Sequence, residues 1–463
     1  CLTLLAVAAS LPLGGAQAQP QRRGLPAPTE SIFQSDPVEI PMHRFNRLPV
    51  VDVQINGRGP FRLIVDTGAA GVVLKSELAK ELKLKSPPGL PAGAAQVKIQ
   101  SPGNKNIPAT LVHIESLVMG EAEFRGVWTV ATELAFGDDF DGVVGMNVFH
   151  DRLLTYDYPS NRIRLTEGTL PKANGRDILA YSTPGDSGSH PSVELDIGGE
   201  RARFMIDTGM RGWFALPYER AKQFGLEAGP VAGIKALFVG GSRRQKIGRM
   251  STAFRFGQYT VDRPIVFLAD DSTGAPLGTG MVLGTKVLEH FVVTFDAQNN
   301  RVRLARPSSE PITPPALRVL GISLRKQGQQ MEVWDVHPAS HAKSLGIANG
   351  DMIHEINGKA VGGLYGTSEW YELLRSADMV KMRYSPRGTE TARTVEIRVL
   401  ELLPGVSCAA GIRHPPTPRT GRRARFPPNS QTRGGCLQDW NVRQVSWRQG
   451  DRRQAPSPTL PYA

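Results

Sequence analysis

Phe61-Arg62-Leu63-Ile64-Val65-Asp66-Thr67-Gly68-Ala69-Ala70-Gly71-Val72-Val73-Leu74 decides the reading of this chain. Leu63, Ile64 and Val65 make a branched apolar run of the kind that is buried as a strand. Asp66-Thr67-Gly68 then turns sharply and leaves one carboxylate standing at the strand's end. The design returns at Ala202-Arg203-Phe204-Met205-Ile206-Asp207-Thr208-Gly209-Met210-Arg211-Gly212-Trp213-Phe214-Ala215-Leu216, with the second turn 141 positions after the first. One such turn is a common way to end a strand. Two, in matching surroundings, predict a pair of carboxylates brought face to face.

The surroundings repeat as well. Ser192 to Gly199 follows the pattern of Val50 to Gly57, and Met281-Val282-Leu283-Gly284 answers Gly142-Val143-Val144-Gly145. Asp296 to Leu304 answers Asp157 to Leu165 at a spacing of 139. Several separate anchors at nearly constant offset predict a duplicated lobe, arranged as a two-fold pair. The lobes are expected over residues 38–168 and 176–306. Asn56-Gly57 reads as a hairpin turn because both residues accept positive φ cheaply. Ser76 reads as the N-cap of a short helix. Polar hairpin tips fall near Pro102-Gly103 and Val239-Gly240-Gly241-Ser242.

A chain of 463 residues is too long for one ordinary core. Its formal charge of +12 is concentrated between Arg413 and Arg453, where ten arginines face two aspartates, so no nucleic-acid partner is inferred. Cys1, Cys408 and Cys436 lie near the ends, which excludes disulfides, thiolate catalysis and a cysteine metal cluster from the region expected to fold. His113, His150, His190, His290, His337, His341 and His354 are scattered without metal-ligand spacing, and neither a metal nor a cofactor is expected. Ser187, in Gly185-Asp186-Ser187-Gly188, reads as part of a turn.

Residues 1–18 are apolar and end in Gly15-Ala16-Gln17-Ala18, the pattern of a partial signal peptide cut after Ala18. The run is too short for a membrane-spanning helix, and no other stretch reads as an integral membrane span. The chain is therefore expected to be exported and periplasmic. Residues 19–37 read as a mobile leader and 307–316 as a Pro-rich linker. Residues 404–463, rich in Pro, Arg, Gly and Ser with no apolar period, read as a disordered or out-of-frame tail.

Two carboxylates held together cannot both ionise easily, so the pair retains a proton over a wide pH range. One can then act as a base on water while the other protonates a carbonyl oxygen. The two Asp-Thr-Gly turns, with Val143-Val144-Gly145 and Val282-Leu283-Gly284, resemble the retropepsin-like and pepsin-like aspartyl proteases over roughly residues 45–305. The resemblance implies a mainly β fold: a bilobal, aspartic-protease-like pair of β-barrels with a cleft between lobes and flap hairpins over it. It implies Asp66 and Asp207 as the catalytic dyad, supported by Thr67, Gly68, Thr208 and Gly209. Met210 departs from the family's usual small or hydroxylated residue, and Arg211 would perturb the dyad if it pointed inward.

A third unit is expected over residues 317–403, and Val336 to Lys359 resembles an α+β PDZ domain. Gly350-Asp351 matches that family's turn before a strand, Asn357-Gly358 its tight hairpin, and Ser368 to Arg375 reads as a capped amphipathic helix. Leu320, Gly321 and Ile322 sit where the family's carboxylate-binding loop would lie. The resemblance thus implies C-terminal or internal peptides as ligands, added as a strand beside Ile322–Leu324. Taken together, an exported aspartic-type endopeptidase is expected, using a water nucleophile on polypeptide substrates recruited by the PDZ domain. A non-catalytic envelope peptide-binding scaffold, or a protease active only as a homodimer, are the alternatives.

Overall fold

A computed structural model describes residues 24–91, 93–101, 104–134, 139–183, 190–238, 241–269, 280–327 and 330–405. The expected signal peptide, residues 19–23 of the expected leader, the tips Pro102-Gly103 and Val239-Gly240, Ser187, and the tail beyond residue 405 lie outside them.

The first lobe opens with β1 (Glu30–Phe33), β2 (Val38–Pro41) and β3 (His43–Phe45). In β4 (Leu48–Ile55) Asp52 and Gln54 are exposed between buried Val51, Val53 and Ile55, the alternation of a strand with one wet face. Asn56 (φ 49°) and Gly57 (φ 73°) then make the expected hairpin turn into β5 (Arg58–Asp66). The last four residues of β5 are all buried, because apolar layers cover both faces of its end. β6 (Val72–Lys75) leads into α1 (Ser76–Glu81), whose N-cap is Lys75; Ser76 is the first helical residue, and no side chain caps the helix. β7 (Gln96–Ser101), β8 (Asn104–Met119), β9 (Ala122–Thr132) and β10 (Gly142–Gly145) complete a sheet ordered β1-β9-β6-β10-β5-β4-β8-β7, with β3 paired to β4.

The expected leader needs correction where it is described. β1 pairs antiparallel with β9, and Leu25 packs against Gly71 beside the first turn, with 6 % of its surface exposed. Asn147 donates its amide to the Pro26 carbonyl at 2.9 Å. Proline-rich composition suggested mobility, but Leu25 joins a cluster of buried side chains that includes Ala69, Ala70, Ile99 and Ile107.

After β11 (Leu153–Asp157), β12 (Arg162–Thr166) and β13 (Ile178–Ala180), the second lobe repeats the plan. It contains β14 (Ser192–Ile197), β15 (Glu200–Ile206), β16 (Phe214–Pro217), α2 (Tyr218–Gln223), β17 (Leu226–Phe238), β18 (Gly241–Met250), β19 (Phe254–Phe256), β20 (Tyr259–Val261), β21 (Ile265–Ala269) and β22 (Val282–Leu283). α3 (Thr285–Leu288), β23 (Val292–Asp296) and β24 (Arg301–Ala305) close it. The repeat is one of topology. β10 lies parallel to β5 and antiparallel to β6, and β22 lies parallel to β15 and antiparallel to β16.

A six-stranded sheet, β13-β24-β23-β11-β12-β2, joins the lobes. At its centre β11 pairs with β23, and Thr155 Oγ1 meets Thr294 Oγ1 at 2.9 Å, two residues equivalent under the internal repeat. Tyr156 stacks edge-on against Phe295 with ring centroids 6.0 Å apart. One apolar core runs through both lobes and this sheet.

The third unit has a separate core. β25 (Leu317–Val319) pairs with β32 (Leu400–Leu403), while β26 (Ile322–Gln327), β27 (Gln330–Val336), β28 (Met352–Ile356), β30 (Met379–Ser385) and β31 (Arg393–Arg398) form a sheet with β26 at its edge and β29 (Lys359–Ala360) paired to β28. α4 (His341–Ser344), α5 (Val361–Leu364) and α6 (Ser368–Ser376) complete it. The helical capping residue is Thr367, whose Oγ1 accepts from Trp370 N at 3.3 Å, one position before the expected cap. Gly321, at φ 79°, separates β25 from β26, because a Cβ there would lie 2.2 Å from that of Ser340.

This unit is docked on both lobes. The Asn46 amide donates to Gly366 O at 2.9 Å and Tyr371 Oη donates to Asn46 Oδ1 at 3.0 Å. On the other side Arg244 Nη2 lies 2.7 Å from each carboxylate oxygen of Asp335, and His337 Nε2 is 2.9 Å from Ala232 O. Among the described residues no helix is long and apolar enough to cross a membrane.

Candidate functional site

β5 and β15 deliver Asp66 and Asp207 to one point between the lobes. Each strand is held from the inside by the apolar-apolar-Gly strand of its own lobe: Val144 pairs with Val65 and Gly145 with Asp66, as Leu283 pairs with Ile206. Gly145 must be glycine, since a Cβ would stand 2.5 Å from Ala69 O and from Gly71 N. Gly284 meets the same constraint, with Gly212 O at 2.5 Å and Met210 O at 2.7 Å. The family-like signature is therefore a packing requirement, in which the turn's backbone lies directly on these glycines.

The two turns clasp each other through their threonines. Thr67 Oγ1 donates to Ile206 O at 2.6 Å and accepts from Thr208 N at 3.1 Å. Thr208 Oγ1 donates to Val65 O at 2.8 Å and accepts from Thr67 N at 3.0 Å. All four bonds are buried, where orphaned backbone groups are costly, so the reciprocal pairing fixes the turns in register.

Each carboxylate is then oriented locally. Gly68 N donates to Asp66 Oδ1 and Gly209 N to Asp207 Oδ1, both at 2.7 Å. The outer oxygens, Asp66 Oδ2 and Asp207 Oδ2, have no hydrogen-bond partner that closes the pair off. Asp66 leans over the opposite turn, for a Cβ on Gly209 would lie 2.3 Å from its Oδ2. Asp66 and Asp207 are 1 % and 0 % exposed.

Burial and proximity set the proton affinity. Desolvation pushes Asp66 up to about 7, opposed by the Gly68 amide, the adjoining Asp207 carboxyl and the Gly209 amide. Asp207 is raised well above the ordinary carboxylate range, first by burial and then by the adjoining Asp66 charge. The protons belong to the pair as a whole. An arrangement of this kind can hold one proton at neutral pH while presenting a carboxylate and a carboxylic acid to the same bound atom.

Three nearby residues carried no recognisable sequence signal. Tyr156 lies beneath the turns, its Oη donating to Val65 O at 3.3 Å, with burial raising its pKa. Its position 139 residues from Phe295 is the only trace, readable once the repeat is known. His190 lies against the Thr67 backbone, 2 % exposed, and burial pushes it down to about 4, so the imidazole is neutral. Lys286, next to Gly284 and Thr285, is pushed down to about 8 by burial. The departures at the second turn are also explained. Met210 is fully buried against Met205 and Val282, and Arg211 lines a cavity together with Asp139, Tyr365 and Tyr371.

Leu320, Gly321 and Ile322 stand apart from this pair, at the start of β26, with Leu320 and Ile322 buried and Gly321 O accepting from His337 N at 2.8 Å. Among the described residues no group of three or more His, Cys, Asp or Glu side chains is placed to hold a metal ion.

The model of an aspartyl protease family matches residues 51–148 and again residues 193–287. Each match contains one Asp-Thr-Gly turn and its apolar-apolar-Gly strand, consistent with duplicated aspartyl protease lobes in a single chain. Both matches end before the third unit. No curated protein matches the chain.

Proposed function

We propose that two aspartyl protease lobes make this chain an exported aspartic-type endopeptidase, with Asp66 and Asp207 as its catalytic dyad. The observation that carries the reading is the reciprocal Thr67–Thr208 clasp, which holds two buried carboxyls against each other with their outer oxygens unpaired. In hydrolysis the ionised member takes a proton from water as that water's oxygen bonds to the scissile carbonyl carbon, and the protonated member gives its proton to the carbonyl oxygen. Collapse of the tetrahedral species breaks the C–N bond as the dyad's proton passes to the amine nitrogen and a hydroxyl proton of the tetrahedral species returns to the dyad, leaving it singly protonated as before. Neither a covalent enzyme intermediate nor a cofactor enters this sequence. Both turns meet within one chain, which favours an active monomer over dyad assembly across a homodimer.

The third unit acts in this proposal as a PDZ domain. The open edge of β26, the left-handed Gly321 and α6 provide the parts for adding an extended peptide as a strand. Export follows from the signal-like residues 1–18.

The second reading, a peptide-binding scaffold that does not cut, is favoured by one observation: neither carboxyl reaches solvent in this conformation. A digest of a denatured polypeptide mixture separates the two. The parent protein is expected to generate new termini, and Asp66→Asn and Asp207→Asn to generate none. Equal cleavage by parent and variants, or none by the parent across the pH range, removes the endopeptidase reading.

A further inference from the structure

A cavity of about 180 Å³ lies where the third unit meets both lobes. Its walls come from the segment just past the second turn (Arg211, Gly212, Trp213), from the β26 edge at Ile322, from Tyr371 on α6, and from Lys286. An empty space of ~150 Å³ accommodates a benzene-sized group, so this one has room for one or two side chains.

Its charge is one-sided. Arg47, Arg318 and Arg325 line it but are satisfied, by Glu289, Asp378 and Glu332 in turn. Lys235 lies 5.1 Å over the Trp334 ring. Arg211 and Lys286 have no ion pair among the described residues, and the Arg211 Nε is buried without a hydrogen-bond partner. Glu289, which faces Lys286, is already engaged by Arg44 at 2.5 Å and by Arg47. Asp139 is the one acid among the described lining residues, and burial raises its pKa, which weakens its claim on Arg211. A half-buried guanidinium and ammonium that make no ion pair of their own are costly to desolvate further, and a ligand carboxylate relieves that cost.

We propose that this cavity binds the carboxylate of a Glu or Asp side chain in a bound polypeptide, held by Arg211 and Lys286, with an adjoining apolar residue against Trp213 and Tyr371. The inference rests on the reading that the chain takes polypeptides and deepens it. Arg211 is four residues from Asp207 on the same loop, and Ile322 is on the open strand edge. An acidic residue seated here therefore connects peptide capture by the third unit to the second catalytic turn. Arg211 and Lys286 are specificity residues in this scheme and take no part in proton transfer.

Binding is tested on the full chain carrying Asp66→Asn, so that no peptide is cut. The probes are matched hexapeptides of Ala, Leu and Phe with blocked ends and one central Glu, Gln or Lys, plus a Gln peptide with a free C-terminus. The Glu peptide is expected to bind at least roughly tenfold more tightly than the Gln peptide. That preference should collapse when Arg211→Gln is added, fall in part with Lys286→Gln, and survive in Arg211→Lys, which also covers the case that Arg211→Gln does not fold. Equal affinity for Glu and Gln peptides overturns the proposal, as does a preference that needs the free C-terminus or persists in both Gln variants. A digest by the parent protein distinguishes the failures. Glu-selective binding with no cleavage removes the endopeptidase reading and keeps the site, whereas cleavage without acid-dependent binding does the reverse.

Discussion

Thr67 and Thr208 exchange four buried hydrogen bonds across the lobe boundary, each hydroxyl donating to the strand behind the opposite turn and accepting from the opposite threonine's amide. Removing the Thr67 hydroxyl orphans Thr208 N–H and Ile206 C=O together, whereas removing that of Thr208 orphans Thr67 N–H and leaves Val65 O with the longer bond from Tyr156 Oη. Thr67→Val or Thr208→Val should therefore destabilise the protein by about 1–3 kcal/mol for each orphaned group, while Thr67→Ser restores most of it. Urea titration gives the stability difference, and activity should fall further than stability because the dyad loses its alignment. A Thr67→Val variant as stable as its parent contradicts the clasp.

The dyad should cost stability at neutral pH. Asp66 holds its proton up to about 7 when folded but only to about 3.8 when exposed. The unfolded chain therefore releases that proton first, and stability falls as pH rises from about 3.8 through about 7. Asp207 is raised in the same direction and adds to the slope. Asp66→Asn and Asp207→Asn should melt a few degrees above the parent at pH 8 and close to it at pH 4, with hydrolysis lost at both. Calorimetry at the two pH values checks it, and a lower Tm for both variants at pH 8 contradicts the raised pKa values.

His190 titrates with the opposite sign. Buried and pushed down to about 4, it gains a proton on unfolding below its ordinary value of 6.5. Stability on this account is full above about 6.5 and is lost as pH falls toward about 4, by at most about 3 kcal/mol. His190→Phe removes two unpaired ring nitrogens along with the titration. It should flatten this acid limb in pH-dependent melts, and an unchanged limb excludes His190 as its source.

Gly209→Ala places a Cβ 2.3 Å from Asp66 Oδ2, closer than carbon and oxygen can stand. The variant should fold but lose at least roughly a hundredfold in activity, because a displacement near 1 Å is enough to spoil a proton-transfer geometry. Gly362→Ala, with nothing within 4 Å, serves as the control and should leave both stability and activity unchanged within error. Full activity in Gly209→Ala means that Asp66 does not work from its observed position.

The Arg244–Asp335 pair holds the third unit against the hairpin of β17 and β18, with both carboxylate oxygens at 2.7 Å from one nitrogen. Partial burial makes it worth more than a surface pair, and a double-mutant cycle should return a coupling of about 1–2 kcal/mol. Arg244→Ala should also raise the rate of proteolytic cutting in the linker near Pro314 and Pro315. A coupling near zero contradicts a docked unit.

What could be read along the chain was whatever local patterning carries. Branched runs before Asp66 and Asp207, turn residues such as Asn56-Gly57 and Asn357-Gly358, and the offsets of 139 and 141 between equivalent anchors pointed to two lobes, a paired carboxylate site and a further unit. Strand period and turn chemistry depend on neighbouring residues, so they survive in one dimension. Capping was less legible: Ser76 and Ser368 each sit one position inside their helices, a shift that local composition does not resolve.

The tertiary structure decided what depends on elements distant in sequence. Gly24 to Phe33 is tied down because β9 and Gly71 offer it partners, which its Pro-rich composition did not suggest. The directions of Met210 and Arg211, the burial of His190 and the proton affinity of Asp66 follow from what packs against each group. Desolvation and side-chain orientation are properties of three-dimensional surroundings. The residues around Asp66 marked it as a candidate site from the sequence alone. Whether its carboxyl is charged, and toward what Arg211 turns, were set only when the lobes and the third unit closed around them.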